Sequence, residues 1–186
     1  QQCKKIANRI LSQDYESSTA WRIDFSNVFE KYVQYIFNQI TKEIGGALLS
    51  NYRFNLHTIN KFSWELKYLE PDAVYYKSPL FVFIDAKYKS HMYNKFDESD
   101  YLKNEHRNDL HQIMSYCSFS SNINKHGFLC YPSNQLELKK IVYGNKLNLC
   151  FNNIFLVGIP IKKESIKNAK SLLSIELNKL FAETTN

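Results

Sequence analysis

Pro71-Asp72-Ala73-Val74-Tyr75-Tyr76-Lys77-Ser78-Pro79-Leu80-Phe81-Val82-Phe83-Ile84-Asp85-Ala86-Lys87 is the stretch that decides the fold. Two runs rich in aromatic and β-branched residues flank Ser78-Pro79, the pattern of two strands joined by a tight turn. A turn centred there pairs Lys77 with Leu80. Counted outward, it sets Asp72 opposite Asp85, with Cβ atoms about 5 Å apart. Side chains alternate along a strand, so Asp85 and Lys87 share one face while Ile84 and Ala86 point to the other. The apolar run Leu80 to Ile84 makes the second segment a buried central strand.

Two carboxylates and an ammonium therefore converge where the sheet is otherwise apolar. Like charges directly opposite on a sheet repel, and an unpaired buried charge costs several kcal/mol. A divalent cation removes the conflict. Mg²⁺, with Mn²⁺ as an acceptable substitute, favours one or two carboxylates plus water and phosphate. Lys87 beside such an ion would orient an attacking water or neutralise charge growing on a phosphorane. The bland alternative is a pair of strand-end aspartates facing solvent, with Lys87 as a salt-bridge partner.

Outward from this hairpin, the chain reads as helix, strands, helix, strands, helix. Residues 3–12 look like the tail of a helix. The first strong helix starts near Asp24, where Phe25, Val28, Phe29, Tyr32, Val33, Ile36, Phe37, Ile40 and Ile44 form a broad apolar stripe that Gly45-Gly46 ends. RFNLHTI (53–59) and FSWELKYL (62–69) read as further strands, and residues 91–104 as a polar loop. A helix is expected over about 105–119, with Leu110, Ile113, Met114 and Cys117 inward. GFLCYP reads as a strand, KKIVY and NLCFNN as a hairpin around Gly144-Asn145, and IFLVGIPI as a separate buried strand. The last helix spans about 164–182, with Ile166, Ala169, Leu172, Leu173, Leu177 and Leu180 inward. The fold class is thus α/β, a mixed central sheet flanked by helices. Residues 1–20 are assigned to the end of a preceding helical segment and 21–186 to a single domain.

Composition narrows the function classes. The 186-residue chain is 44% apolar and carries 13 Phe and 13 Tyr, enough for one globular core. No apolar run reaches the roughly 18 residues of a membrane span, and the first residues form no signal peptide. The sequence opens on Gln1 rather than Met, which suits a fragment of a longer chain. Cys3, Cys117, Cys130 and Cys150 form no CxxC pair, which fits reduced thiols in the cytoplasm better than a zinc knuckle or disulfide scaffold. A net charge of +6 permits phosphate contacts without requiring them. No glycine-rich phosphate loop is present, so nucleotide hydrolysis is not expected of this chain.

Asp72, Asp85 and Lys87 resemble the motif of the PD-(D/E)XK nucleases, and WRIDFSNVFEKYV (21–33) resembles the signature helix of McrC proteins and their LlaJI-type relatives. LEPDAVYY, FVFIDAKYK, DLHQIMSYC and HGFLCYP are similar, in order, to later blocks of that family, from about Trp21 to Pro160. The resemblance implies a restriction-endonuclease-like core that cuts double-stranded DNA. Asp72, Asp85, the Ala86 carbonyl and Glu30 would hold the metal, and Lys87 would act beside it. It also implies a McrB-like AAA+ GTPase partner, although the N-terminal region through which such subunits engage the motor is not expected in this sequence. An autonomous PD-(D/E)XK endonuclease, a RecB-like exonuclease and a non-catalytic DNA-binding or scaffold subunit are the alternatives.

Gln112 and Tyr116, four apart on one helix face, resemble the QxxxY element of RecB-like nucleases. They would bond DNA, brace Lys87, or be ordinary helix-surface polarity. Lys89, with Lys95, Lys103 and Arg107, would line a DNA groove or simply face solvent. His106 and His111, near Asp109, do not share a helical face, which argues against zinc. Tyr15, Tyr93 and Tyr101 are candidate base-stacking rings that nothing singles out.

Overall fold

Helix α1 (Phe25–Ile44) begins where Asp24 caps it, accepting from the Ser26 N–H at 3.0 Å and the Asn27 N–H at 3.3 Å. It ends at Gly45, whose φ of +79° suits a residue without a side chain. The computed structural model describes residues 24–55, 63–145 and 150–185. The helical tail expected over 3–12, the assignment of residues 1–20 and Tyr15 lie outside them.

Strand β1 (Ala47–Ser50) follows, then a short ribbon of β2 (Phe54–Asn55) and β3 (Tyr68–Leu69). Strands β4 (Ala73–Lys77) and β5 (Leu80–Ala86) come next, then helix α2 (Asp100–Cys117) and β6 (Asn124–Pro132). β7 (Glu137–Asn145), β8 (Cys150–Ile159) and α3 (Ser165–Thr185) complete the order. The main sheet has six strands in the order β1-β4-β5-β6-β8-β7. Pairing is parallel for β5/β6 and β6/β8 and antiparallel elsewhere.

The β4–β5 register follows from the turn at Ser78-Pro79. Lys77 pairs with Leu80 and Ala73 with Ile84, so the next position outward sets Asp72 opposite Asp85. Alternation then divides the core. Ala73, Tyr75, Val82 and Ile84 face α1 and α3, while Val74 and Phe83 face α2. Gly127 lets α2 lie close to β6, since a Cβ there would come within 2.6 Å of Ile113 Cγ1. This is a mixed α/β architecture compatible with a restriction-endonuclease-like core. Among the described residues, no helix is long and apolar enough to cross a membrane.

Several boundaries differ from the sequence reading. Helix α2 starts at Asp100, because Ser99 caps it by accepting from the Leu102 N–H. NLCFNN and IFLVGIPI are not two strands: Cys150–Ile159 is one strand, long enough to pair with β6 and β7 on its two edges. Of the strands read over 53–59 and 62–69, only the two-residue pieces β2 and β3 fall in described residues. β1 was missed, a four-residue edge strand too short for a periodic signal. Phe25 and Val28 are more than half exposed, and Phe25 stacks on Tyr88, just past the end of β5, rather than entering the core.

Candidate active site

The carboxyl ends of β4's neighbours open into a cleft of about 530 Å³. Glu30, Asp72, Asp85, Ala86, Lys87, Gln112 and Tyr116 all line it, alongside Asn51, Glu70 and Lys31. Lys89 does not. It lies between Glu105, at 2.8 Å, and Asp109, at 2.7 Å, so its ammonium is already engaged by two carboxylates.

Asp72 is fixed through both its backbone and its side chain. Its Oδ2 accepts from the Ala86 N–H at 2.7 Å, replacing the next rung of the β4–β5 ladder. Its carbonyl accepts from the Asn51 N–H at 3.0 Å and from Gln34 Nε2 at 2.7 Å. Asp85 is 2% exposed on the face that meets α2. Lys87 Nζ stands 2.7 Å from its Oδ2. The approach is an ion pair without hydrogen-bond geometry, so that buried oxygen keeps no hydrogen-bond partner.

The electrostatics follow from this crowding. Burial, and then the charge of Asp85, push the Asp72 carboxyl up to about 7, against the Ala86 N–H that favours its charged form. Burial also raises Asp85, opposed by Lys87. Both carboxyls thus hold protons more tightly than solvated ones, because burial outweighs the one ammonium, Lys87, that answers them.

Across the cleft, α2 braces the lysine. Lys87 Nζ donates to Gln112 Oε1 at 2.6 Å, and Gln112 Nε2 donates to Tyr116 Oη at 2.8 Å. Tyr116 Oη donates in turn to the Glu70 carbonyl at 3.3 Å. Burial first, then Asp85, raise the Tyr116 phenol to about 12, so it remains a donor. Glu70 also pairs with Arg53 at 2.7 Å, tying the β2–β3 ribbon to the rim.

Glu30 reaches the cleft from α1. Its Oε1 accepts from Lys31 Nζ, Gln34 Nε2 and Asn51 Nδ2, at 3.1, 2.9 and 3.0 Å. Among the described residues, no three His, Cys, Asp or Glu side chains close on one point tightly enough to form a metal cluster by themselves. What the cleft offers is two carboxylates, one of them ion-paired to Lys87, and the backbone of Ala86 between them and the lysine. This donor set fits a hard cation that completes its shell with water and phosphate.

Residues 5–132 match the family model of the McrBC 5-methylcytosine restriction system component. The chain belongs to that family. No curated protein sequence matches it. The stretch matched to the McrBC component family contains every residue named in the cleft, whereas β7, β8 and α3 lie beyond it. Membership makes the chain part of a restriction system, whose name implies more than one component.

Sequence reasoning missed Gln34, Asn51 and the structural weight of Asp109. Gln34 carried a signal, since it stands four residues after Glu30 and so on the same helical face. Asn51 carried none. Asp109 was read beside His106 and His111, but it is buried and accepts from Lys89 and from Tyr131 Oη at 2.9 Å.

Proposed function

We propose that this chain is the Mg²⁺-dependent DNA endonuclease subunit of a McrBC-type restriction system, a PD-(D/E)XK nuclease acting with a McrB-like AAA+ GTPase. The observation that carries the reading is the opposed pair of half-buried Asp72 and buried Asp85 with Lys87 alongside, lining an open cleft. A structural role would favour one carboxylate and one ammonium, not a second carboxylate whose protonation burial and then the charge of Asp85 both favour.

In this reading Asp72, Asp85 and the Ala86 carbonyl hold Mg²⁺, with Glu30 reaching it directly or through water. The ion supplies Lewis acidity and lowers the pKa of bound water. The chain's own groups do the rest. The Ala86 N–H holds the Asp72 carboxylate, and Asn51 N–H and Gln34 Nε2 hold its carbonyl, so Asp72 is fixed where it lines the cleft. Lys87, steered by Gln112 and Asp85, presents a fixed positive charge where negative charge grows as water attacks phosphorus and the bridging oxygen departs. Double-stranded DNA would lie across the open side, held by phosphate contacts from a chain of net charge +6.

The test is cleavage of double-stranded DNA with Mg²⁺ and the cognate GTPase, comparing wild type with Asp85→Asn. Asparagine keeps the shape but removes the charge an ion needs, so cutting should fall at least 10²-fold while DNA binding persists. Unchanged cleavage by Asp85→Asn would defeat the assignment. Absence of cleavage by the wild type with its partner would favour a scaffold subunit.

A further inference from the structure

We propose that Gln34 and Asn51 are positioning residues that set Asp72 and Glu30 in a common geometry for one cation; the inference rests on the nuclease reading above. Gln34 is 8% exposed in a helix whose other buried positions are apolar. Packing does not need an amide there, and a buried amide is retained only if its hydrogen bonds are made. The two hydrogens of Nε2 are shared among the Asp72 carbonyl at 2.7 Å, Glu30 Oε1 at 2.9 Å and Asn51 Oδ1 at 3.0 Å. One side chain thus spans the acidic helix residue and the strand that carries the acidic pair.

Asn51 closes the triangle from the end of β1. Its φ of +51° is left-handed, a conformation asparagine tolerates better than most residues. That turn lets its N–H reach the Asp72 carbonyl at 3.0 Å while its Nδ2 reaches Glu30 Oε1 at 3.0 Å. Every donor on Glu30 therefore comes from a group that is itself tied to Gln34 or Asn51, and the same two residues hold Asp72. A brace needed only for stability would have no reason to end on a carboxylate in an open cleft.

The experiment titrates Mg²⁺ by calorimetry into wild type, Gln34→Met, Asn51→Gly, Glu30→Gln and the double variant Glu30→Gln/Gln34→Met, with thermal melting of each. Methionine fills the glutamine volume without its hydrogen bonds. Glycine keeps the left-handed backbone and its N–H while removing the side chain. Outer-shell losses of this kind weaken metal binding by about 10- to 100-fold. We expect Gln34→Met and Asn51→Gly each to raise the dissociation constant by about tenfold, and Gln34→Met to add less than its full effect once Glu30 is already glutamine, since its hold on the Asp72 carbonyl then remains to be lost. If Gln34→Met does not fold, Asn51→Gly decides. Mg²⁺ affinity equal to wild type in the folded variants, or full additivity in the double variant, would overturn the positioning role alone. A wild type that takes up no Mg²⁺ would overturn the nuclease reading and this inference with it.

Discussion

Lys87 Nζ stands 2.7 Å from Asp85 Oδ2 and 2.6 Å from Gln112 Oε1, so a single ammonium joins a buried strand carboxylate to an amide on α2. Asp85 is 2% exposed, and the Lys87 side chain 16%. Removing either charge therefore has unequal effects. Without Lys87, Asp85 is left buried and uncompensated, or must take up a proton. Without the charge on Asp85, Lys87 still has Gln112 and an open cleft.

Lys87→Met should accordingly destabilise the metal-free protein by about 3 kcal/mol at neutral pH, the scale for breaking a buried pair from one side. Asp85→Asn alone should cost little. The double variant Lys87→Met/Asp85→Asn should recover most of the loss. Urea unfolding of the three variants measures this, and a Lys87→Met protein as stable as wild type would show that the pair carries no structural weight.

The raised Asp72 carboxyl makes a pH prediction whose sign is fixed. Its folded value, about 7, lies above the usual carboxylate range near 4, so between these limits the folded state binds more protons than the unfolded one. Stability must then fall as pH rises through that window. Asp72→Asn removes the contribution, so its advantage over wild type in Tm should grow from about pH 4 to about pH 7 and then level off. Saturating Mg²⁺ should flatten the wild-type slope, because the cation takes the place of the proton.

Gln112 and Tyr116 act in series on Lys87, and their variants should separate posture from stability. Tyr116→Phe removes the phenol that accepts from Gln112 and donates to Glu70, a loss of about 1 kcal/mol by ordinary hydrogen-bond energetics. Gln112→Leu removes the only α2 group touching Nζ in the described cleft, with little change in the core because the residue is exposed. Cleavage by Gln112→Leu should drop about 10- to 100-fold, with Mg²⁺ affinity nearly unchanged. A fall in Mg²⁺ affinity as large as the fall in rate would show that Gln112 serves the ion rather than the lysine.

What the sequence showed and what it hid have physical reasons. The β4–β5 register was legible because period-two alternation and one turn determine every partner from Lys77/Leu80 outward. Helix α1 was legible because its stripe is long and its ends are capped. β1 and the ribbon are two to four residues long, below the length at which alternation is informative. The start of α2 was missed because Asp100 to Asn104 are largely exposed and hold one half-buried apolar residue, Leu102, too few for a periodic stripe, leaving the Ser99 cap as the signal. The bracing of Lys87 was foreseen as one possibility for Gln112 and Tyr116. The Gln34–Asn51 connection was not, because it depends on a left-handed turn at Asn51 that no spacing rule encodes.

Lys89 supplies the last prediction, because the sequence placed it among DNA contacts and the structure gives its ammonium other partners. Its side chain is 29% exposed and meets Asp109, which is nearly buried and also accepts from Tyr131 Oη. Lys89 thus joins the end of β5 to α2 two residues beyond Lys87. On the helix its partners Glu105 and Asp109 precede Gln112 and Tyr116 along one face, so α2 grips both lysines of the strand end. Replacing Lys89 by Met leaves Asp109 buried with only a phenol to answer its charge, and stability should fall by about 2 kcal/mol or more. Affinity for non-specific duplex DNA should change little, and so should the slope of its logarithm against that of salt. A residue that contacts phosphate would behave in the opposite way, leaving stability intact and reducing that slope by about one. Denaturant unfolding and a salt titration of DNA binding, run on Lys89→Met beside wild type, distinguish the two; a reduced slope with unchanged stability would return Lys89 to the DNA surface.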